Sequence, residues 1–292
     1  MAQLKEIRSR IASIKNTRQV TSAMKMVSAA KLKKAQDAIL QISPYDQKLY
    51  EIIQNLSLSE VEFDSSFFST PEYNNVLIVV VGANRGLCGG FNSNVSKFAM
   101  MHAISNYPFQ LKTGNVKFLP VGRQVEKVLK SNKADILSQA HDLLNDHNFI
   151  AITSVALQLR DLFIQGKFQR IDIVYNKFKN AAVQELTAEQ FLPLSKPEPT
   201  IKILTRPDYI FEPSQEEILA SLIPQTLKMR FYRVLLDSNA AEQGARMTAM
   251  HQATDNATEI IRELQTKYNN ARQAAITNEI LEITAGAEAL KG

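Results

Sequence analysis

Residues 242–290 read EQGARMTAMHQATDNATEIIRELQTKYNNARQAAITNEILEITAGAEAL, a stretch with no proline and only two glycines. Its apolar residues recur at spacings of three and four, or their sums, and the pattern extends back to Ile218. A repeat sustained over many heptads is typical of a helix that packs along one seam. A single helix over residues 214–288 would be about 110 Å long. The seam comprises Ile218, Leu222, Met229, Leu236, Met247, Met250, Ala257, Ile261, Leu264, Tyr268, Ala271 and Ala275.

The other end of the chain has the same character. Residues 1–43 contain neither glycine nor proline, and every proline lies between Pro44 and Pro224. Because helix breakers are confined to the middle, both ends are free to form long helices. Apolar residues form one stripe at the start of the N-terminal helix. Farther along, the stripe is expected to shift to a different position around the helix. The first contains Leu4, Ile7, Ile11 and Ile14, and the second contains Val20, Met24 and Val27.

Two long helices at opposite ends of a chain can pair with each other. Small residues such as Ala241 and Gly244 are dense on the C-terminal helix, where they allow close approach of another backbone. We therefore predict an antiparallel coiled coil formed by residues 1–58 and 210–290, with a separate domain between them.

The middle of the chain has the pattern of an α/β domain, which we place at residues 74–205. Three β-rich runs alternate with helix-like stretches near 92–105, 122–131 and 147–165, which predicts a mostly parallel, Rossmann-like sheet. The runs are VLIVVVG (76–82), VKFLPVG (116–122) and RIDIVYNKF (170–178), and VQELTAEQFLPL (183–194) is the expected edge strand. The proline-rich segment 195–213 then leads into the second long helix.

Composition excludes several classes of protein. The 292 residues carry a net charge of +5, and the single cysteine, Cys88, excludes an internal disulfide framework. One cysteine and four scattered histidines give no zinc-ligand spacing, so we expect no metal. No stretch approaches the ~20 apolar residues that span a bilayer. The basic N-terminus lacks the apolar core of a signal peptide, and its helical period favours mature structure over a transit peptide.

A glycine-rich loop, VVVGANRGLCGGFN (79–92), follows the first predicted strand. A phosphate-binding P-loop needs G-x-x-x-x-G-K-[ST], but Leu87 stands where the second glycine of that pattern would fall. The dinucleotide pattern G-x-G-x-x-G fails as well, from either Gly82 or Gly86. The loop is therefore expected to be a tight strand-to-helix turn, in which glycine provides a positive φ or close contact with a helix. No other known catalytic motif is present, so we predict no catalytic residues and no cofactor.

The N-terminal helix is strongly basic. Residues 1–34 contain nine lysines and arginines and one acid, Glu6. Three interpretations are open: a solvated face, a nucleic-acid binder, or a surface that meets an acidic protein. The basic residues alternate with the apolar seam and no aromatic residue precedes Tyr45, which argues against nucleic acid. Met24 and Met26 can serve as core filler or as soft contacts that slide past a partner.

Several stretches resemble one family over the whole chain and in the right order. They are AMKMVSAAKLKKAQ (23–36), RGLCGGFN (85–92), YNKF (175–178), LPL (192–194), DYIFEP (208–213) and residues 242–290. These stretches are similar to the γ subunit of F-type ATP synthases, of the bacterial type. Members of that family have an antiparallel coiled coil of terminal helices and a central Rossmann-like domain without a nucleotide.

The resemblance implies a function. The chain would be a non-catalytic rotor shaft that turns inside a hexamer of α and β subunits and couples proton flow through a membrane c ring to ATP chemistry on β. The ε subunit would be a further partner, nucleic acid would not, and membrane contact would be indirect through the c ring. The expected location is peripheral, on the cytoplasmic side of the cell (inner) membrane.

The resemblance also assigns roles to individual residues. Met24 matches the methionine that faces an acidic loop of β, and Arg272 and Gln273 match a pair that hydrogen-bonds to a β loop. Thr277 and Glu282 match residues coupled functionally to that methionine. The segment around Tyr209, Phe211 and Glu212 resembles the foot that meets the c ring and ε.

Two departures from the family pattern stand out. Family members often have aspartate where this chain has Asn84, and a hydroxyl residue where it has Ala83. This leaves open any charge-dependent contact of the glycine loop. The segment after LPL has no cysteine, so the thiol switch of the chloroplast-type subunit is not expected.

Overall fold

The computed structural model describes residues 2–57, 67, 74–146, 148–194, 212 and 214–289. Its elements are α1 (Ala2–Ser57), β1 (Val76–Val81), α2 (Phe91–Asn106), α3 (Pro108–Lys112), β2 (Val116–Val121), α4 (Arg123–Ser131), α5 (Leu143–Asp146), α6 (Phe149–Ile164), β3 (Arg170–Phe178), β4 (Gln184–Leu192) and α7 (Gln215–Ala289). The chain forms two compact units: Met1–Ser28 with Met247–Gly292, and Ala29–Arg246. The long helices α1 and α7 each contribute to both units, whereas the sheet belongs to the second. The predicted domain boundaries at 58, 74, 205 and 210 stay predictions.

The sheet of the second unit has four strands in the order β2-β1-β3-β4. Strand β1 pairs parallel with both β2 and β3, and β4 pairs antiparallel with β3 at the edge. The predicted α/β fold with a mostly parallel sheet and a final edge strand is confirmed. Strand β1 is buried along its whole length, as expected for a central strand covered on both faces.

The two faces of the sheet bury separate apolar cores. Alternate side chains of β1 point to opposite faces because a strand has a period of two. Leu77, Val79 and Val81 pack in one core with residues of α6 and α7. Val76, Ile78 and Val80 pack in the other core with residues of α2 and α4. The result is a three-layer arrangement of helix, sheet and helix.

The terminal helices take part in the first of these cores. Leu227, Phe231 and Leu235 of α7 and Ile53 of α1 are buried there. The Phe231 ring lies 6.0 Å from the ring of Phe191 on β4. The C-terminal part of α1 and the N-terminal part of α7 therefore pack into the core of the α/β domain.

In the first unit α1 and α7 lie side by side. The hydroxyls of Thr21 and Thr254 form a hydrogen bond of 2.8 Å across the pair. In the second unit Asp46 of α1 contacts Arg233 of α7. Because the residue numbers run in opposite directions, the two helices are antiparallel, as predicted.

The predicted shift of the apolar stripe on α1 is wrong. Val20 and Val27 are 58% and 55% exposed, whereas Thr21 and Ser28 are buried. Alternating spacings of three and four therefore continue from Ile14 through positions 18, 21, 25 and 28. These positions hold Arg18, Thr21, Lys25 and Ser28, which a search for apolar side chains passes over.

Candidate functional site

The glycine loop is a compact turn at the carboxyl end of β1. The amide of Ala83 donates to Oδ1 of Asn92 at 2.8 Å, and Nδ2 of Asn92 donates to the sulfur of Cys88 at 3.2 Å. Leu87 and Gly89 adopt left-handed conformations, with φ of 63° and 58°. These contacts bring the chain from β1 into α2, in agreement with the predicted strand-to-helix turn.

Helix α7 packs directly on this loop. Ala83, Cys88 and Phe91 form a small apolar cluster with Ala241 of α7. Nη2 of Arg246 donates to the carbonyl oxygens of Arg85 and Gly86 at 3.3 and 3.4 Å. Ligands of Rossmann-like sheets bind beyond the carboxyl ends of the strands, and here the chain's own helix is docked on the loop that leaves β1.

The guanidinium that holds the loop is itself anchored. Nη1 of Arg246 lies 2.6 Å from Oε1 of Glu242, one turn earlier on α7. Burial raises the pKa of the Glu242 carboxyl, and the charge of Arg246 opposes that effect. Burial also raises the pKa of the Cys88 thiol. A thiol of this kind is an inert packing group and a poor nucleophile.

Asn84 uses both ends of its amide group. Nδ2 donates to the carbonyl oxygen of His141 at 2.9 Å, and Oδ1 accepts from the amide of Arg123 at 3.1 Å. An aspartate at this position could accept the second hydrogen bond but could not donate the first. The departure from the family pattern at Asn84 therefore has a local structural role, which is to tie the loop to the start of α4.

Gly244 of α7 admits the close approach of another backbone, as predicted for the small residues of this helix. A Cβ at Gly244 would lie 3.2 Å from the carbonyl oxygen of Ala181, in the turn between β3 and β4. The backbone that approaches α7 closely at this position is therefore that β-turn. The β3–β4 turn and the glycine loop both dock on the same stretch of α7.

The predicted contact residues of the first unit lie on the surface of the paired helices. Met24 is half-buried on α1, and the other four, on α7, are exposed. Among them, the Thr277 hydroxyl donates to the carbonyl oxygen of Gln273 at 2.9 Å. These four are Arg272, Gln273, Thr277 and Glu282.

The structure does not bring Met24 together with the other four. The pairing of Thr21 with Thr254 places Met24 level with about residue 251 of α7. Residues 272–282 then lie about 30–45 Å farther along the helix axis, at 1.5 Å per residue. The same register places Ala2 level with about residue 273, so that α7 continues for about 16 residues beyond the start of α1.

The extending end of α7 is apolar as well as exposed. Four of its large side chains are between 48% and 66% exposed, although they are isoleucine or leucine. Exposed apolar groups in such a concentration mark a binding surface. They are Ile276, Ile280, Leu281 and Ile283.

The basic residues of the N-terminal helix are also on the surface. Of the nine, Arg18 and Lys25 are half-buried and the other seven are exposed. Within the described part of the chain, none of the nine has a carboxylate at ion-pair distance. Their positive charge is therefore available to a partner.

Comparison with known proteins identifies the family. The profile of the ATP synthase family matches residues 3–290. The ATP synthase gamma chain of Flavobacterium psychrophilum is 49% identical to this chain over 293 residues, with 100% of each covered. The chain belongs to the ATP synthase gamma chain family. A more distant gamma chain, from Geotalea uraniireducens, is 38% identical and also covered in full.

Solved structures of ATP synthases contain chains with a similar fold. The central stalk and c ring structure of Tetrahymena thermophila mitochondrial ATP synthase contains a chain 26% identical to this one. That match has a TM-score of 0.58 and covers 80% of this chain and 99% of the other. A chain in the Euglena gracilis mitochondrial ATP synthase, at 17% identity, gives a TM-score of 0.69 over 99% of this chain and 95% of the other.

Two further observations concern membrane-spanning helices and the residues assigned to the foot. None of the helices in the described residues is long and apolar enough to cross a bilayer. Of the three residues assigned to the foot, Glu212 is exposed, and Tyr209 and Phe211 lie outside the described residues.

The sequence alone missed the polar contacts that join the long helices to the gamma chain's sheet. Arg246 donates to the glycine loop, Arg233 pairs with Glu189 on β4, and Glu242 pairs with Arg246 within α7. The available signal was the presence of charged residues near the apolar seam of α7, where burial requires a partner.

Proposed function

We propose that this chain is the central rotor shaft of an F-type ATP synthase, coupling proton flow through a membrane c ring to ATP synthesis or hydrolysis on the β subunits. It is itself non-catalytic, and its partners are the α, β and ε subunits and the c ring. Its place is peripheral, on the cytoplasmic side of the cell membrane. The observation that carries the proposal is the full-length match to gamma chains, joined to a pair of antiparallel terminal helices.

The surface of the first unit supports this role. The exposed apolar end of α7 suits a bearing inside a ring of subunits, and the unpaired basic residues of α1 suit acidic loops on β. A shaft acts on catalytic sites by contacting their conformational states differently as it turns. The residues we assign to these contacts are Met24, Arg272, Gln273, Thr277 and Glu282, with Tyr209, Phe211 and Glu212 at the foot.

The assignment has a direct test. We expect the tagged chain, purified from native membranes, to carry three α and three β subunits. The complex should hydrolyse ATP and the isolated chain should not. A free monomer, or ATP hydrolysis by the isolated chain, would refute the proposal.

Met24→Lys is expected to impair coupling. An added ammonium group opposite an acidic loop creates an attraction that must be broken at every step. An exposed ion pair contributes up to about 1 kcal/mol, which corresponds to about a fivefold slower step. ATP-driven proton pumping should therefore fall by more than ATP hydrolysis in membranes that contain the variant.

Met26→Lys is the matched control. Residue 26 is more exposed than residue 24 and lies about 200° away around the same helix, so the new charge points elsewhere. Equal pumping-to-hydrolysis ratios in the two variants would mean that added charge, and not the position of Met24, causes the loss.

A further inference from the structure

A buried ionic cluster in the second unit joins three elements of the fold. The Arg233 side chain of α7 reaches Asp46 of α1, with 2.9 Å between Nε and Oδ2. Its Nη2 atom lies 3.2 Å from Oε2 of Glu189 on β4. Its Nη1 atom lies 3.6 Å from Oδ2 of Asp237, one turn farther along α7. Nη2 donates a hydrogen bond to Glu189, whereas Nε and Nη1 meet Asp46 and Asp237 as ion pairs, and Nε lacks hydrogen-bond geometry.

Glu189 is fixed in place from the sheet side. The hydroxyl of Tyr175 on β3 donates to its Oε1 atom at 2.5 Å. A second guanidinium, that of Arg230, lies 3.5 Å from its Oε2 atom. Burial alone would raise the pKa of Glu189, but Tyr175, Arg233 and Arg230 together hold it below its usual value. The carboxylate stays charged and cannot turn away from Arg233.

The cluster is well shielded from water. The side chain of Arg233 is 19% exposed, and those of Asp46 and Asp237 are 11% and 10% exposed. Charges so placed interact more strongly than at the surface, because water screens them less. The two arginines and the nearby Lys177 balance the three carboxylates.

Apolar packing and the charged contacts of Arg233 differ in how strongly they resist rotation of one element against another. Burial of apolar area is non-directional, so packed helices can slip or rotate by small amounts at little cost. The planar guanidinium of Arg233 is different, because rotation of one element breaks its hydrogen bond to Glu189 and separates its charge from Asp46 on α1. Arg233 is placed where such rotation would separate α1, α7 and the sheet.

We propose that Arg233 is a positioning residue of the rotor, which locks α1 and α7 to the sheet so that a turning force on the sheet reaches both helices together. This inference rests on the proposed function as a rotor shaft.

The test uses the complex of this chain with its α and β subunits, observed one molecule at a time. A bead is attached through Lys127→Cys on α4, or through Ser221→Cys on α7; both positions are exposed and Cys88 is buried. The angular variance of the bead during a catalytic pause measures the torsional compliance between the bead and the β subunits. The α4 bead reports the joint between sheet and helices, whereas the α7 bead bypasses it.

Arg233→Met is expected to raise the variance of the α4 bead by about twofold, because directional contacts are lost while the packed volume is kept. The variance of the α7 bead should rise less, because only the contact between α7 and Asp46 of α1 affects it, and the rate of ATP hydrolysis should stay unchanged. Arg160→Met is the control, since Arg160 pairs only with its neighbour Asp161 among the ion pairs of the described residues. Neither bead should respond to it.

Arg233→Lys covers the case in which Arg233→Met does not assemble. Lysine keeps the positive charge but lacks the planar guanidinium, so the variance of the α4 bead should again rise. An α4 bead with unchanged variance in an assembled variant overturns the role of Arg233. A wild-type complex whose beads never rotate refutes the rotor function instead.

Discussion

Replacing Asp172 with alanine is expected to destabilise the sheet-containing unit by about 3–5 kcal/mol, since it breaks a buried charged network by removing one partner. Asp172 lies near the start of β3 and is 1% exposed. Hydrogen exchange of peptides that cover β1 and β3 measures this loss, because core strands exchange through the most costly openings.

The size of this effect follows from the number of groups that depend on one carboxylate. His102 Nε2 donates to Oδ2 at 2.7 Å, and Arg170 Nε donates to Oδ1 at 3.0 Å. The buried Tyr107 hydroxyl also donates to Oδ2. Alanine would remove the acceptor of all three hydrogen bonds beside α2, and each such loss costs about 1–3 kcal/mol.

The same network predicts a dependence on pH. Burial alone would raise the pKa of Asp172, but the hydrogen bond from His102, the charge of Arg170 and the hydrogen bond from Tyr107 hold it below its usual value. The stabilisation is therefore present above the unfolded pKa of about 3.9 and is lost as the pH falls through the lower folded value. The stability difference between wild type and Asp172→Ala should shrink below about pH 4.

Asp161→Ala provides the matched control for this experiment. Asp161 pairs with Arg160 at 2.7 Å, but its side chain is 49% exposed. A surface pair contributes about 0–1 kcal/mol, so exchange in β1 and β3 should hardly change. Similar losses in the two variants would contradict the special role of the buried network.

Much of this fold follows from local patterns in the sequence. The run VLIVVV has the uniform apolar character of a doubly covered strand, and β1 is buried throughout. Alternation of such runs with helical stretches predicts parallel pairing, and β1 pairs in parallel with both neighbours. The long repeats at both ends predicted α1 and α7, because a heptad pattern needs no knowledge of the rest of the chain.

The contacts between elements could not be predicted in this way. Nothing near Asp46 in the sequence indicates that Arg233, far along the chain, is its partner. The heptad position of Thr21 was missed because its role depends on Thr254, which supplies the second hydroxyl. Such pairings are set by the tertiary fold, which a local pattern does not contain.

For the candidate contact residues, too, the sequence identified the residues but not their positions relative to one another. The resemblance selected Met24 and Thr277, but only the register of the paired helices places them tens of ångströms apart along α7. A functional link between them would therefore have to pass through the helices or through a partner. The residues proposed for the foot stay predictions, as do those proposed to contact β.

Gly82→Ala is the second substitution for which we expect a large loss, about 3 kcal/mol, from overpacking at the end of β1. A Cβ at Gly82 would lie 1.9 Å from Cγ2 and 3.2 Å from Cβ of Val125 on α4. It would also lie 2.9 Å from Oδ1 of Asn92, the acceptor for the amide of Ala83. Rotation of the valine side chain cannot relieve both contacts, so α4 or the glycine loop must move. Hydrogen exchange of β1 and of the start of α2 should accelerate together.

Two further variants separate overpacking from other effects of losing a glycine. A Cβ at Gly86, in the same loop, meets nothing within 4 Å, so Gly86→Ala should change stability by less than about 1 kcal/mol. In the double variant Gly82→Ala with Val125→Ala, the clashing methyl groups are gone, and the combined loss should be smaller than the sum of the two single losses. Additive losses, or an equal loss at Gly86, would mean that the contact between the end of β1 and α4 does not require glycine at position 82. Coupling between positions 82 and 125 would instead explain why the first glycine of this loop serves helix packing, in a place where related folds use glycine to approach a phosphate.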